Sequence, residues 1–211
     1  GEGYSLERYP PSQDTDSAAD WRAQSQPDPG DVDLIPPTPT PTPTDTPSPT
    51  PQIVLVINEI HADPHPAEGD ANGDGSINSS DDDFAEIVNA SGFAVDLSGW
   101  SLSDGLNARH VFPAGSVLPD RCAVVVFGGG APEGAFGSSL VQTASTGTLS
   151  FDMLGDHLFL KDTDGQIRAL YSYGAEGSHD QSITRWPDIT GPEPLVQHSA
   201  CLLYTSPSPR D

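Results

Sequence analysis

Between residues 53 and 200 the apolar residues come in short runs, each soon cut off by Gly, Pro, Asp or Asn. The runs are IVLVINEI (53–60), FAEIVN (84–89), VDLSGWSL (95–102), RHVF (109–112), CAVVVFG (122–128), DHLFLKD (156–162), QIRALYSY (166–173) and SITRW (182–186). They are rich in Val, Ile, Phe and Tyr, whose branched or aromatic side chains suit a pleated, half-buried surface. No stretch sustains the i, i+3, i+4, i+7 apolar stripe of an amphipathic helix. Many short strands with regular turns predict an all-β sandwich or barrel. The clearest hairpin is DHLFLKDTDGQIRALYSY, which reverses at Asp162–Gly165 through an Asp-Gly pair.

What precedes residue 53 has a different character. Residues 36–51 read PPTPTPTPTDTPSPTP, with eight Pro and six Thr in sixteen positions. Such a stretch cannot supply the backbone donors a sheet needs, so residues 31–52 are expected to form a disordered, extended Pro/Thr-rich linker. Its Thr and Ser residues are candidate O-glycosylation sites. Residues 1–30 hold one short apolar patch and cannot build a core alone. Their segment YSLERYP (4–10) echoes QSITRWP (181–187): Ser, an aliphatic residue, a variable one, Arg, an aromatic and Pro. The echo assigns residues 1–30 to the C-terminal remnant of a preceding, similar domain, and the chain to an array on Pro/Thr stalks. At the other end, CLLYTSPSPRD (201–211) matches the in-frame translation of a sequencing-library adapter, so it is expected to be non-native. The chain begins with Gly1 and reads as an internal fragment. Setting Cys201 aside leaves Cys122 alone in RCAVVVF, without a disulfide partner; a buried apolar role is expected for it.

Charge narrows the function classes. Thirty-one acidic residues stand against eight basic ones, giving a net charge of −23. Neutralising phosphates takes clustered Lys and Arg, whereas this chain has Lys161 and scattered arginines, so direct nucleic-acid binding is excluded. No run is long and apolar enough for a transmembrane helix.

The acidity is concentrated. Residues 59–86 hold nine carboxylates and no Lys or Arg. Within them DANGDGSINSSD (70–81) has the spacing of a twelve-residue calcium loop. Asp70, Asn72 and Asp74 occupy positions 1, 3 and 5. Ser76 at position 7 offers a backbone carbonyl, Asn78 a water-mediated contact, and Asp81 the closing carboxylate. Gly75 falls at position 6, where the chain must turn sharply with a backbone that glycine adopts at least cost. Ile77 is expected to tuck against the core. Calcium is a hard cation that takes six to eight oxygens at roughly 2.3–2.6 Å, and carboxylates this close repel one another without a cation between them. The flanking segments look like strands, unlike the helices that flank the loop in EF-hands and dockerins. The loop is therefore expected to be an insertion between two strands of a sandwich.

Other candidates are weaker. The six histidines form no H-E-x-x-H or Cys/His zinc pattern; His61 and His65, beside prolines, are expected at the surface or in turns. Asp162 and Asp164 fit a hairpin turn better than an ion site. Glu59 and Glu86 are carboxylates of the right type for acid/base work, but a structural role is expected. Gly128–Gly130 leads to no helix and makes a poor phosphate cradle.

The segments INEI, FAEIVNAS, DLSGWSLSD, RHVFPAGSVLPDRCAVVVF, DHLFLKDTDGQIR and QSITRWPDITG together resemble the lamin tail domain in its bacterial form, over about residues 53–200. The resemblance implies an immunoglobulin-like β-sandwich, in which Trp100 and Phe112-Pro113 are core and turn positions; the calcium loop would be an insertion in it. It supplies no catalytic residue, and it implies a non-catalytic module of a secreted or surface protein. The basic surface of animal lamin tails has no counterpart in this acidic chain. The expected function is a calcium-stabilised extracellular module with a binding, spacer or adhesion role, whose partner is a cell-surface protein or polysaccharide. The second reading makes it an accessory domain of a secreted nuclease or phosphatase; a third, a hydrolase acting through the acidic loop.

Overall fold

A computed structural model describes residues 5–9, 15–24 and 51–198. The Pro/Thr-rich linker up to residue 50 and the 201–211 tail lie outside the described residues. The chain divides into two units, Gly1–Pro49 and Thr50–Asp211.

In the first unit β1 (Ser5–Arg8) pairs antiparallel with β2 (Trp21–Gln24). The Arg22 guanidinium stacks 3.7 Å from the Tyr9 ring centroid. Leu6, Tyr9 and Trp21 are all exposed, as expected of a hairpin too small to enclose a core.

The second unit is an all-β, immunoglobulin-like sandwich. Its strands are β3 (Leu55–His61), β4 (Phe84–Asn89), β5 (Val95–Asp96), β6 (Ser101–Ser103), β7 (Ala108–Val111), β8 (Val117–Leu118), β9 (Ala123–Phe127), β10 (Leu140–Thr143), β11 (Asp156–Lys161), β12 (Ile167–Tyr173), β13 (Ile183–Thr184) and β14 (Val196–Gln197). One sheet has the order β10-β9-β4-β3-β13-β14, the other β12-β11-β6-β7, and β5 pairs with β8. All pairs are antiparallel except β10 with β9.

A bulge in β3 decides which residues face inward. The register steps between Ile57 and Glu59, leaving Asn58 as the extra residue. A bulge shifts the two-residue alternation by one, so Ile57 and Ile60 both reach the main core with Ala85 and Ile87 of β4 and Val124 and Val126 of β9. Leu102, Leu158, Leu160, Tyr171 and Tyr173 meet them from the opposite sheet, and Trp100 and Phe112 are buried in the same cluster. The other face of the larger sheet is buried too. There Phe84, Val125, Phe127 and Phe136 form a second cluster with Ala71 of the acidic insertion. Burying each such aromatic contributes about 1.5–3 kcal/mol, so the insertion is anchored by packing as well as by polar contacts.

The strand expectations need three changes. VDLSGWSL is two strands, because Gly99 turns the backbone to φ 76° between them. The short β8, β10 and β14 carry too few apolar residues to stand out. Cys122 is exposed and free rather than buried: Arg121 adopts φ 59° in the turn entering β9, and the apolar strand starts one residue after the thiol, at Ala123. The hairpin at Asp162–Gly165 is present. The Asp162 carboxylate accepts from the backbone N–H groups of Asp164 and Gln166 and from Arg168 Nε at 2.7 Å.

Candidate metal centre

The 62–83 connection between β3 and β4 carries the acidic loop. Its first half is wound by side chains accepting from backbone N–H groups a few residues ahead, as Asx turns do. Asp70 Oδ2 accepts from Gly75 N–H at 3.0 Å, Asn72 Oδ1 from Asp74 N–H at 3.0 Å, and Asp74 Oδ1 from Ser76 N–H at 2.8 Å. Gly75 turns through φ 83°, the conformation the spacing requires of position 6. Asp70, Asn72 and Asp74 therefore share one turn. Asp70 Oδ1 is buried there without a hydrogen-bond partner.

The second half is arranged differently. Ser76 and Asn78 are exposed, and Ile77, 46% exposed, does not enter the core; the loop's buried apolar residue is Ala71, because the first half packs on the sheet. Asn78 caps a one-turn helix, α1 (Ser79–Asp82), accepting from Ser80 N–H. Asp81 accepts from Asn78 Nδ2 at 2.7 Å. The carboxylate that reaches back into the first half is that of Asp82. It is fully buried and accepts from Asn72 N–H at 3.1 Å and Asn78 N–H at 2.8 Å. Burial holds its carboxyl above the usual range, and the Asp70 charge pushes the same way. Asp74 goes the other way, lowered first by the N–H of Ala131. Asp83 is pushed up to about 8, mainly by burial, then by the charges of Asp63 and Asp82. Among the described residues no three His, Cys, Asp or Glu side chains form a metal-holding group.

The glycine run after β9 holds the loop in place. Asn72 Nδ2 donates to Gly129 O at 3.3 Å, Ala131 N–H to Asp74 Oδ2 at 3.1 Å, and Gly128 N–H to Asp83 O at 2.7 Å. A Cβ on Gly128 would run into the Ser80 carbonyl, and one on Gly130 into Asn72 and Asp74. Three consecutive glycines ending a strand signal such a close approach, although not its partner.

Two histidines are buried, of which His61 was expected at the surface or in a turn. His61 is fully buried, its ring 5.5 Å from Phe84, because β3 runs one residue past INEI. His110 is buried, with Nε2 2.7 Å from Gln142 Oε1 and its ring edge-on to Phe112.

A family model described as Lamin Tail Domain matches residues 48–175. The chain belongs to the lamin tail domain family. No curated protein matches it. The lamin tail domain match includes the whole acidic loop as well as Glu59 and Glu86, and it stops before β13. Lamin tail domains are non-catalytic immunoglobulin-like modules. Among the described residues no helix is long and apolar enough to cross a membrane.

Proposed function

We propose that this module is stabilised by calcium bound in the 70–82 loop and serves as a binding or spacer unit of an extracellular multidomain protein. Asp70, Asn72 and Asp74 supply side-chain oxygens, Ser76 its carbonyl and Asn78 a water-mediated contact. The closing carboxylate comes from the Asp81-Asp82 pair, of which Asp82 reaches back to the Asn72 N–H in the first half of the loop. The observation that carries the reading is Asp70 Oδ1, buried without a partner in a turn already wound by Asp70, Asn72 and Asp74. A hard cation satisfies such an oxygen and relieves the repulsion between Asp70 and Asp82.

Binding would cross-link the insertion to the end of β9, since the loop and the glycine run already share hydrogen bonds. The partner class proposed is a cell-surface protein or polysaccharide. The likeness of the β1–β2 and β13–β14 hairpins, which carry the same Ser–aliphatic–x–Arg–aromatic–Pro segment, supports a preceding module of the same kind. Isothermal titration with calcium tests the site. Saturable binding that disappears in Asp70→Ala/Asp74→Ala is expected; no heat of binding at millimolar calcium would reject it.

A further inference from the structure

Glu59 of β3 and Glu86 of β4 stand directly opposite each other in the antiparallel ladder. Residues so paired share a face, with Cβ atoms about 4.5–5.5 Å apart. The two side chains are 0% and 2% exposed. Two buried charges at that separation repel strongly, and among the described residues neither is paired with Lys or Arg.

The closing segment of the chain is tied to this pair. Ser182 Oγ donates to Glu59 Oε1, and His198 Nδ1 lies 3.4 Å from the same oxygen, while Glu59 Oε2 is buried without a partner. The bulge residue Asn58 donates from Nδ2 to Glu86 Oε1 and to Asp188 Oδ1, both at 2.7 Å. Its Oδ1 accepts from Ile189 N–H at 2.9 Å, which fixes the amide orientation. Ser182 and Asn58 thus present hydrogens to the two carboxylates, an arrangement that suits a proton held between them. The ladder joining β13 to β3 is two residue pairs long, so these side-chain ties act alongside the burial of Ile183 and Leu195 and the bond from Arg185 to the Ile57 carbonyl in holding the segment.

We propose that a proton held on Glu86 beside Glu59 fastens the closing segment, Ser182–His198, to the sheet, and that losing it in alkaline solution releases that segment while the sandwich stays folded. The groups facing Glu86 are Glu59 from β3 and Asp188 and His198 from the closing segment; β9 presents Val125. With the proton gone, the carboxylates of Glu86 and Asp188 share the Asn58 amide while Glu59 stands opposite Glu86 in the ladder. Asp188, on the segment with the shortest ladder, is the one free to leave. Burial, and then the charge of Glu59, push the Glu86 carboxyl up to about 8, which puts the release just above neutral pH.

Amide hydrogen exchange on the whole chain, corrected for the intrinsic rate and run in constant calcium, tests this. Protection of residues 183–185 and 195–197 should fall by up to about tenfold per pH unit as pH rises toward the titration near 8 and level off above it, with β4 and β9 amides unchanged. Glu86→Gln should remove that pH dependence and keep the segment protected. Glu59→Gln, which removes the neighbouring charge that holds the Glu86 carboxyl up, should make the fall smaller and end it at lower pH. The β4 and β9 amides report whether either variant is folded. Protection that is flat with pH in the wild type, a Glu86→Gln profile like the wild type's, or loss of β4 and β9 protection together with the segment would overturn the proposal.

Discussion

Replacing Asp82 by Ala should unlatch the acidic loop even without metal. Its carboxylate accepts from Asn72 N–H and Asn78 N–H. Asn72 is fully buried, so its N–H would lose an acceptor where water cannot replace it, whereas Asn78 is exposed and can turn to solvent. One orphaned buried donor plus one weakened contact amounts to about 2–4 kcal/mol, or roughly 5–12 °C in melting temperature for a domain of this size. Asp81→Ala removes one contact with Asn78 Nδ2 near solvent and should cost under about 1 kcal/mol. Thermal unfolding of both variants in chelator measures this difference. Repeating it in millimolar calcium then separates the two candidate closing ligands, because the variant lacking the ligand also loses the calcium increment. Equal, small effects of the two substitutions in chelator would refute the claim that Asp82 latches the loop.

Phe127→Ala should cost about 3–5 kcal/mol in chemical denaturation, since it empties the cluster on which Ala71 and Phe136 pack. Gly130→Ala should destabilise by about 1–3 kcal/mol and weaken calcium binding, because φ is 71° there and a Cβ would strike Asn72 and Asp74; unchanged stability would remove the close approach from the account. The stability difference between wild type and Glu86→Gln should depend on pH in one direction. A carboxyl raised from 4.5 to about 8 in the folded state stabilises most below the lower value and loses that contribution as pH rises through the higher one, on the order of 5 kcal/mol in all. Native-state labelling of Cys122 with a thiol reagent should proceed near the rate of an unfolded control, as its exposure requires.

The strands were legible where apolar alternation met a turn residue: FAEIVN is β4 residue for residue, and Asp162–Gly165 is the hairpin turn. The six-stranded sheet's outer face was not. Glu59 and Glu86 were expected to be structural, but their burial was not legible, because a polar residue between apolar ones ordinarily marks the exposed face. Here loops distant in sequence cover that face, and nothing local to INEI records that Ser182, Asp188 and His198 return to it. The bulge at Asn58 is invisible for the same reason, since it shows only against the register of β4. In the acidic loop, Gly75 and the alternating Asp70, Asn72 and Asp74 announced a tight turn. The regular spacing pointed to Asp81 as the residue that closes it. Asn78 capping α1 rotates the chain by one position and sends Asp82 inward instead. Ile77 misled because an apolar residue in a loop suggests burial, while Ala71 already fills that place.

The proposed role rests on a cation holding the 70–82 loop against the end of β9, and thermal unfolding of the whole chain with calcium or with chelator tests that most directly. With calcium at a hundredfold over its dissociation constant, linkage predicts about 2.7 kcal/mol of added stability, a rise of roughly 5–10 °C. Asp70→Ala/Asp74→Ala should abolish it. A melting temperature indifferent to calcium, or an equal rise in that double variant, would contradict the account.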